Sequence, residues 1–321
     1  QPAPAGSTLT AVRARGLVSC GTSTGFAGFS VMDTQGRNRG LDADLCVALA
    51  AAIFGDPTRI RWERLTGQTR FPALQGGQVD VLIRTTTWTH SRDANLGLNF
   101  TTVSFFDGQG FLVRRDANIA RAADLAGATI CTTSGTTSEL NLADWSRSRN
   151  IAFRPVLFEQ IEEATRAYES RRCDALSTDA SVLASIAAIQ SNPAEHVVLS
   201  DLISKEPHSP VVRQGDDQWG DIVRWTLFAL LNAEELGVTQ ANVDEMLRSP
   251  NPEIRRLLGV AGDHGQMMGL DARWAYHAIK AVGNYGEIFD RNLGANSPTR
   301  LARGLNALWT NGGAMYGMPI R

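Results

Sequence analysis

The chain contains no run of about 18 consecutive apolar residues, the length a helix needs to cross a bilayer, so nothing in it reads as a membrane span. It also lacks an excess of either charge: 31 Lys and Arg stand against 33 Asp and Glu, giving a net charge of −2 and a pI near 6.3. Without a basic surface, nucleic acid is not an expected partner. There is no Cys-x-x-Cys to begin a zinc site, no Gly-x-Gly-x-x-Gly turn and no P-loop lysine, so metals and nucleotide cofactors gain no support and no cofactor is expected. His90, His196, His208, His264 and His277 are dispersed, with neither paired metal-ligand spacing nor a Ser-His-Asp arrangement. An initiating methionine is missing as well. The short polar opening Gln1-Pro2-Ala3-Pro4-Ala5-Gly6-Ser7 is what processing of an exported chain, or trimming, leaves behind.

What is present begins with size. The 321 residues suffice for two lobes of about 100 to 200 residues, each with its own core. Four cysteines, an even number, suit an exported chain. Cys20 and Cys131 end strand-like runs at 17–20 and 128–131, Cys46 falls in the next helix, and Cys173 enters a later strand. The expected bridges are Cys20 to Cys46 and Cys131 to Cys173, one within each lobe; four buried free thiols are the alternative.

Strand and helix signals alternate. Leu45, Ala48, Leu49, Ala52 and Ile53 share one helical stripe over 41–54, followed by a strand at 60–63, a helix through Phe71 and Leu74, and a buried strand at 79–83. A second unit repeats the pattern: strands at 128–132, 153–157, 174–177 and 196–199 alternate with helices at 136–147, 161–169 and 179–190. This βαβ rhythm predicts an α/β fold with parallel pairing. After Pro210 a short return strand leads into helices at about 240–248, 252–258 and 272–282, assigned to the first lobe. The expected division is 1–110 with 211–321 as one lobe and 111–210 as the other, with hinge crossings near 110–114 and 205–210.

Open α/β sheets bind ligands beyond the carboxyl ends of their strands. Those positions hold Ser23 and Phe26 in a glycine-containing loop, then Thr85, Thr87 and Arg92, then Ser134-Gly135-Thr136-Thr137 at a helix start, and Asp179 after 175–177. A guanidinium beside hydroxyls suits a carboxylate, and a helix N-terminus attracts an anion. Together with one acid they would form a receptor for a zwitterion. Taken singly each has a plainer account: Thr136 and Asp179 can be helix caps, Arg92 a helix-opening surface residue, and Phe26 and Trp88 core residues.

Thr87-Trp88-Thr89-His90-Ser91-Arg92, Ser134-Gly135-Thr136-Thr137 and Ser177-Thr178-Asp179, in that order, resemble the ligand-binding elements of the polar amino-acid-binding proteins of ABC importers. The segments 95–100, 107–111, 225–230, 234–244 and 281–287 resemble more closely the general L-amino-acid-binding branch of that family, over about 10–321. The resemblance implies a two-lobed type II periplasmic-binding-protein fold with a cleft between the lobes and extra C-terminal helices. It further implies a monomeric periplasmic receptor that takes L-amino acids, Glu, Gln, Asp and Asn among the candidates, and delivers them to an ABC permease. Arg92, helped by Thr87 and Thr137, would hold the α-carboxylate and Asp179 the α-ammonium. Thr85 would lie near the amino group or side chain, and Phe26 would face the ligand's aliphatic part. The chain departs from relatives at 23–28 and at Thr85, where an asparagine is common, so Ser23, Phe26, Arg84 and Thr85 bear on side-chain preference. The alternative on the same fold is a cyclohexadienyl dehydratase, which needs a carboxyl proton donor; Glu139 is the only glutamate near a predicted strand end.

Overall fold

The computed structural model describes residues 7–321; the first six residues of the polar opening lie outside the described residues. Helix α1 (Ser7–Arg15) leads into β1 (Val18–Thr22), a short hairpin β2 (Val31–Met32) and β3 (Asn38–Arg39), then α2 (Leu41–Phe54), β4 (Ile60–Arg64), α3 (Arg70–Gln75), β5 (Val81–Leu82), α4 (His90–Asn95) and β6 (Leu98–Phe100). Neither α1 nor the hairpin has a clear apolar period, and neither was expected. The α2 helix buries Leu45, Ala48, Leu49 and Ala52 as its stripe predicts, and it ends where Gly55 takes a left-handed conformation at φ 65° that costs a residue without Cβ little.

From β7 (Phe105–Asp107) and β8 (Gln109–Arg114) the chain enters a second unit: β9 (Thr129–Thr133), α5 (Thr137–Arg149), β10 (Arg154–Phe158), α6 (Ile161–Glu169), β11 (Ala175–Asp179), α7 (Ala180–Ala188) and β12 (His196–Val198). It returns through β13 (Glu206–His208) and β14 (Val211–Arg213). One sheet has the order β4-β1-β5-β14-β6 and the other β10-β9-β11-β8-β12, while β7 and β13 pair with each other. The predicted parallel pairing is present at β1 with β4 and β5, and at β9 with β10 and β11. The strands arriving from the crossings, β8 and β14, add antiparallel to these.

The tail comprises α8 (Asp217–Glu235), α9 (Val243–Met246), α10 (Pro252–Leu257), α11 (His264–Met267), α12 (Trp274–Val282) and α13 (Tyr285–Asn292). The α12 helix packs on α2 and α8, so the tail shares a core with the first sheet's helices. A capping box formed by Asn284 and Glu287 starts α13. Beyond it, Asn306 clasps the crossing strand β7: its Oδ1 accepts from Phe106 N at 2.7 Å and its Nδ2 donates to Phe106 O at 3.0 Å. Thr299 Oγ1 reaches Ser185 Oγ on α7 at 3.1 Å.

The disulfides are Cys20–Cys46, joining β1 to α2, and Cys131–Cys173, joining β9 to the entry of β11, which is the expected pairing. Trp88 is not a core residue: it is 36% exposed and stacks on Phe100 at 5.9 Å.

Candidate ligand-binding site

A cavity with about 260 Å³ of empty space, including its mouth, lies where the carboxyl ends of the two sheets face each other. Phe26, Arg70, Arg84, Thr85 and Thr87 line it from the first sheet's side, and Thr133, Thr136–Ser138, Thr178 and Asp179 from the second. Its rim is bridged: Gln68 Nε2 donates to Ser134 Oγ at 3.2 Å, Thr66 Oγ1 to Glu159 Oε1 at 3.2 Å, and Thr24 Oγ1 to Glu162 Oε2 at 3.1 Å. The described conformation therefore holds the two sides in contact.

Arg92 is 9% exposed and sits on α4, whose N-cap Thr89 accepts from Arg92 N. Its Nη1 donates to the Thr87 carbonyl at 2.9 Å and its guanidinium lies 5.2 Å over Phe71, so it does not form part of the cavity wall. The guanidiniums on the wall are those of Arg70 and Arg84, 2% and 3% exposed. Arg84 meets neither solvent nor a structural acid: its Nε donates to the Leu65 carbonyl at 2.8 Å, and it stacks 5.2 Å over Phe26. Burial lowers both Arg84 and Arg92 to about 10, so both remain charged at neutral pH. Arg70, at the start of α3, carries no such expectation in the sequence because it reads as an ordinary helix-opening arginine.

Ser23 turns away from the cavity, donating to the Ser30 carbonyl at 3.2 Å and accepting from Phe26 N at 3.2 Å. It shapes the loop that presents Phe26. Thr85 holds a left-handed backbone, φ 43°, rare for a β-branched residue; its N–H donates to Asp42 Oδ2 at 2.7 Å. Burial pushes Asp42 up to about 6 against the pull of His208.

The hydroxyls of Thr87 and Thr137 both donate to Glu206 Oε2, while Asn141 Nδ2 and Ser204 Oγ donate to Oε1, each at 2.6 Å. Glu206, on the return strand β13, thus ties both sides of the cleft together and was missed by sequence reasoning. The two threonine hydroxyl hydrogens expected to aid Arg92 are committed to it. What remains for an anion on that side is the N-terminus of α5, where Thr136 forms the cap that its sequence suggested.

Asp179 is the last residue of β11 and stands at the N-cap of α7, but its side chain makes no capping bond. Instead Oδ2 meets His208 Nε2 at 3.1 Å. Burial alone would lower the His208 imidazole, yet Asp179 and Asp107 raise it to about 9. Burial and the nearby Asp179 push Asp107 up to about 7. Oxygen and nitrogen donors of Asp107, Asp179 and His208 lie within 4.8 Å of one another, a grouping the dispersed histidines did not announce. Asp107 accepts from Ser181 Oγ, and of the three only Asp179 lines the cavity. Glu139 bonds the Gly135 amide at 2.9 Å and serves the helix start.

Residues 18–242 match the model of the bacterial extracellular solute-binding proteins, family 3. The chain belongs to that family. It is 53% identical over 321 residues, 99% of this chain and 94% of the relative, to the general L-amino acid-binding periplasmic protein AapJ of Rhizobium johnstonii. It is 50% identical over 320 residues, 99% of this chain and 95% of the relative, to the glutamate/glutamine/aspartate/asparagine-binding protein BztA of Rhodobacter capsulatus. Among solved structures, an ABC transporter periplasmic binding protein from Brucella ovis with glutathione bound superposes with a TM-score of 0.95 at 53% identity, covering 98% of this chain and 99% of that one. The fold is the two-lobed type II arrangement of periplasmic binding proteins. The family is extracytoplasmic, and the close relatives are amino-acid-binding transport proteins rather than enzymes, so the dehydratase alternative has no support.

Proposed function

We propose that this protein is a periplasmic, monomeric receptor that captures L-α-amino acids by lobe closure and delivers them to an ABC permease. The observation that carries the reading is the pairing of opposite charges across one cavity: the guanidiniums of Arg70 and Arg84 line it on the first sheet's side and the Asp179 carboxylate on the other. A zwitterion matches that polarity: its α-ammonium is directed to Asp179 Oδ1 and its α-carboxylate to the α5 N-terminus and to Arg92, whose guanidinium would turn from the Thr87 carbonyl into the cavity to reach it, while Phe26 covers the aliphatic part. Residues 1–110 with 211–321 and residues 111–210 form the two lobes in this reading; since 110–114 falls within β8 of the second sheet, the paired crossing strands β7 and β13 form the hinge, the latter within the expected 205–210. The names of AapJ and BztA support amino acids as the ligand class, polar side chains included.

A thermal-shift screen of ligand-stripped protein against all L-amino acids, D-amino acids, short peptides and small organic acids tests this. A ligand at about a hundred times its dissociation constant adds nearly 3 kcal/mol of stability, so several L-amino acids should raise the melting temperature clearly. Silence from every amino acid, with a response to organic acids alone, would sink the proposal.

A further inference from the structure

Asp179 occupies a position that ordinarily caps a helix, yet it caps none. As the N-cap residue of α7 its side chain would be expected to accept from the second or third helical amide. That task falls to another strand instead: Asp107, on β7, accepts from Ser181 N at 3.4 Å through Oδ1 and from Ser181 Oγ through Oδ2. The first helical amide, Ala180 N, donates to the Gly108 carbonyl at 2.8 Å. The Asp179 carboxylate is thereby released from its own helix, in a residue that lines the cavity and is nonetheless buried.

A carboxylate released in this way needs something to fix it. Among the described residues its side chain has one hydrogen-bond partner, His208, whose Nε2 meets Oδ2 at 3.1 Å. The imidazole is itself immobilised. It is 1% exposed, lies edge-to-face with Phe29 at 5.7 Å and stacks on Phe105 at 5.8 Å, and the His208 carbonyl accepts from Ser104 N at 2.8 Å. Its Nδ1 is buried without a hydrogen-bond partner, so Nε2 is the ring's single polar attachment and Asp179 is what it holds. Burial opposes a charge on this ring, but Asp179 on β11, then Asp107 on β7 and Asp42 on α2, raise it to about 9, so the bond is charge-assisted at neutral pH.

We infer that His208 is a positioning residue for ligand capture: from the crossing strand β13 it fixes Asp179 Oδ2, while Asp107 takes over the α7 cap, and together they leave Asp179 Oδ1 to receive an α-ammonium. This role rests on the receptor reading and deepens it. Strands β7 and β13 pair Phe105 with His208 and Asp107 with Glu206, so the two residues that redirect Asp179 stand on the two strands of one crossing. The carboxylate that meets the amine is thus mounted on the crossing rather than on its own helix, and a change in the crossing reaches the ligand through a single side chain.

Calorimetric titration of ligand-stripped wild type, His208→Leu and His208→Gln with L-glutamine and L-glutamate decides the point. His208→Leu keeps an apolar body between the two phenylalanines but removes the donor, and affinity for both ligands should fall roughly 10- to 100-fold, the scale of one charge-assisted hydrogen bond. His208→Gln returns an N–H near the position of Nε2 and should recover most of that loss. Wild-type affinity in His208→Leu would overturn the role while leaving the receptor intact. Equal losses in the two variants would overturn it as well, since the packing of the ring and not its bond would then be what matters. A further measurement needs no variant to fold: nuclear magnetic resonance titration of the His208 imidazole in wild type, with and without saturating L-glutamine. An ammonium on Asp179 Oδ1 disfavours a second cation on Oδ2, so the midpoint should move down by about 1 pH unit or more. A midpoint that does not move would overturn the inference. Failure of wild type to bind any L-amino acid would remove the receptor reading and this role together.

Discussion

The cavity wall on the first sheet's side carries Phe26 and Arg84 on loops, with the backbone strained at Thr85, and Arg70 at the start of α3, whereas the opposite wall carries hydroxyls and Asp179 on regular strand ends and a well-capped α5. One side is cationic and irregular; the other is acidic and regular. The difference teaches that neither side alone can satisfy a zwitterion, and that bringing the sides together is what completes the site.

The sharpest way to break the comparison is to remove charge from the first side. Arg92→Ala should cost about 2 to 5 kcal/mol, or roughly 30-fold to several-thousand-fold in amino-acid affinity. Normal binding by calorimetry would show that the α-carboxylate is held elsewhere on that wall.

The two disulfides compare the sides as scaffolds. Their sequence separations of 26 and 42 residues predict losses of about 3.5 and about 4 kcal/mol when Cys20–Cys46 or Cys131–Cys173 is replaced by serines, on the chain-entropy account. Denaturant unfolding of the paired-serine variants measures both. A much larger loss for the shorter loop would mean that native packing around α2, not loop length, dominates.

Strain on the first wall can be relieved. Thr85→Asn keeps the amide that donates to Asp42 and suits a φ of 43° far better than a β-branched side chain, so the melting temperature should rise by the equivalent of about 1 kcal/mol. A fall instead would show that the Thr85 side chain contributes packing worth more than the strain.

A further contrast lies in the pH response of the Asp107, Asp179 and His208 group. His208, raised from 6.5 to about 9, contributes stability that is complete below about 6.5 and lost as pH rises through 9. Asp107, raised from 3.8 to about 7, is favoured neutral in the fold, so its contribution also declines with rising pH, between about 4 and 7. Relative to wild type, Asp107→Asn should flatten the melting-temperature profile between pH 4 and 7. His208→Gln should flatten it between 7 and 9. Parallel profiles for wild type and both variants would refute this assignment.

Much of the scaffold was legible because it is local. The stripe at Leu45 to Ile53, the strands that carry Cys20 and Cys131, and the α5 cap at Thr136 are all written in short-range pattern, although both strands run two residues past the cysteine expected to end them. Phe26 and Asp179 were reachable because strand ends converge on a cleft. Arg70 and Glu206 were not, since each acquires its meaning from residues far away in sequence: Gly135 lies 65 positions from Arg70, and Thr87 lies 119 from Glu206. Ser23 misled for the opposite reason, because its partners Ser30 and Phe26 are local and give it a turn-stabilising role. The hairpin of β2 and β3 has only two residues per strand, too few to show a period.

The match to the family ends at residue 242, but Asn306 grips both polar groups of Phe106 on the crossing strand, and Thr299 reaches α7. In a receptor that binds by closing, observed affinity is the intrinsic affinity scaled by the fraction of molecules able to close. If this protein closes as proposed, a tail fastened to the crossing would act on that fraction. Ligand retention would then be open to retuning by substitutions far from any ligand atom, leaving the chemistry of recognition untouched while changing how often it is available.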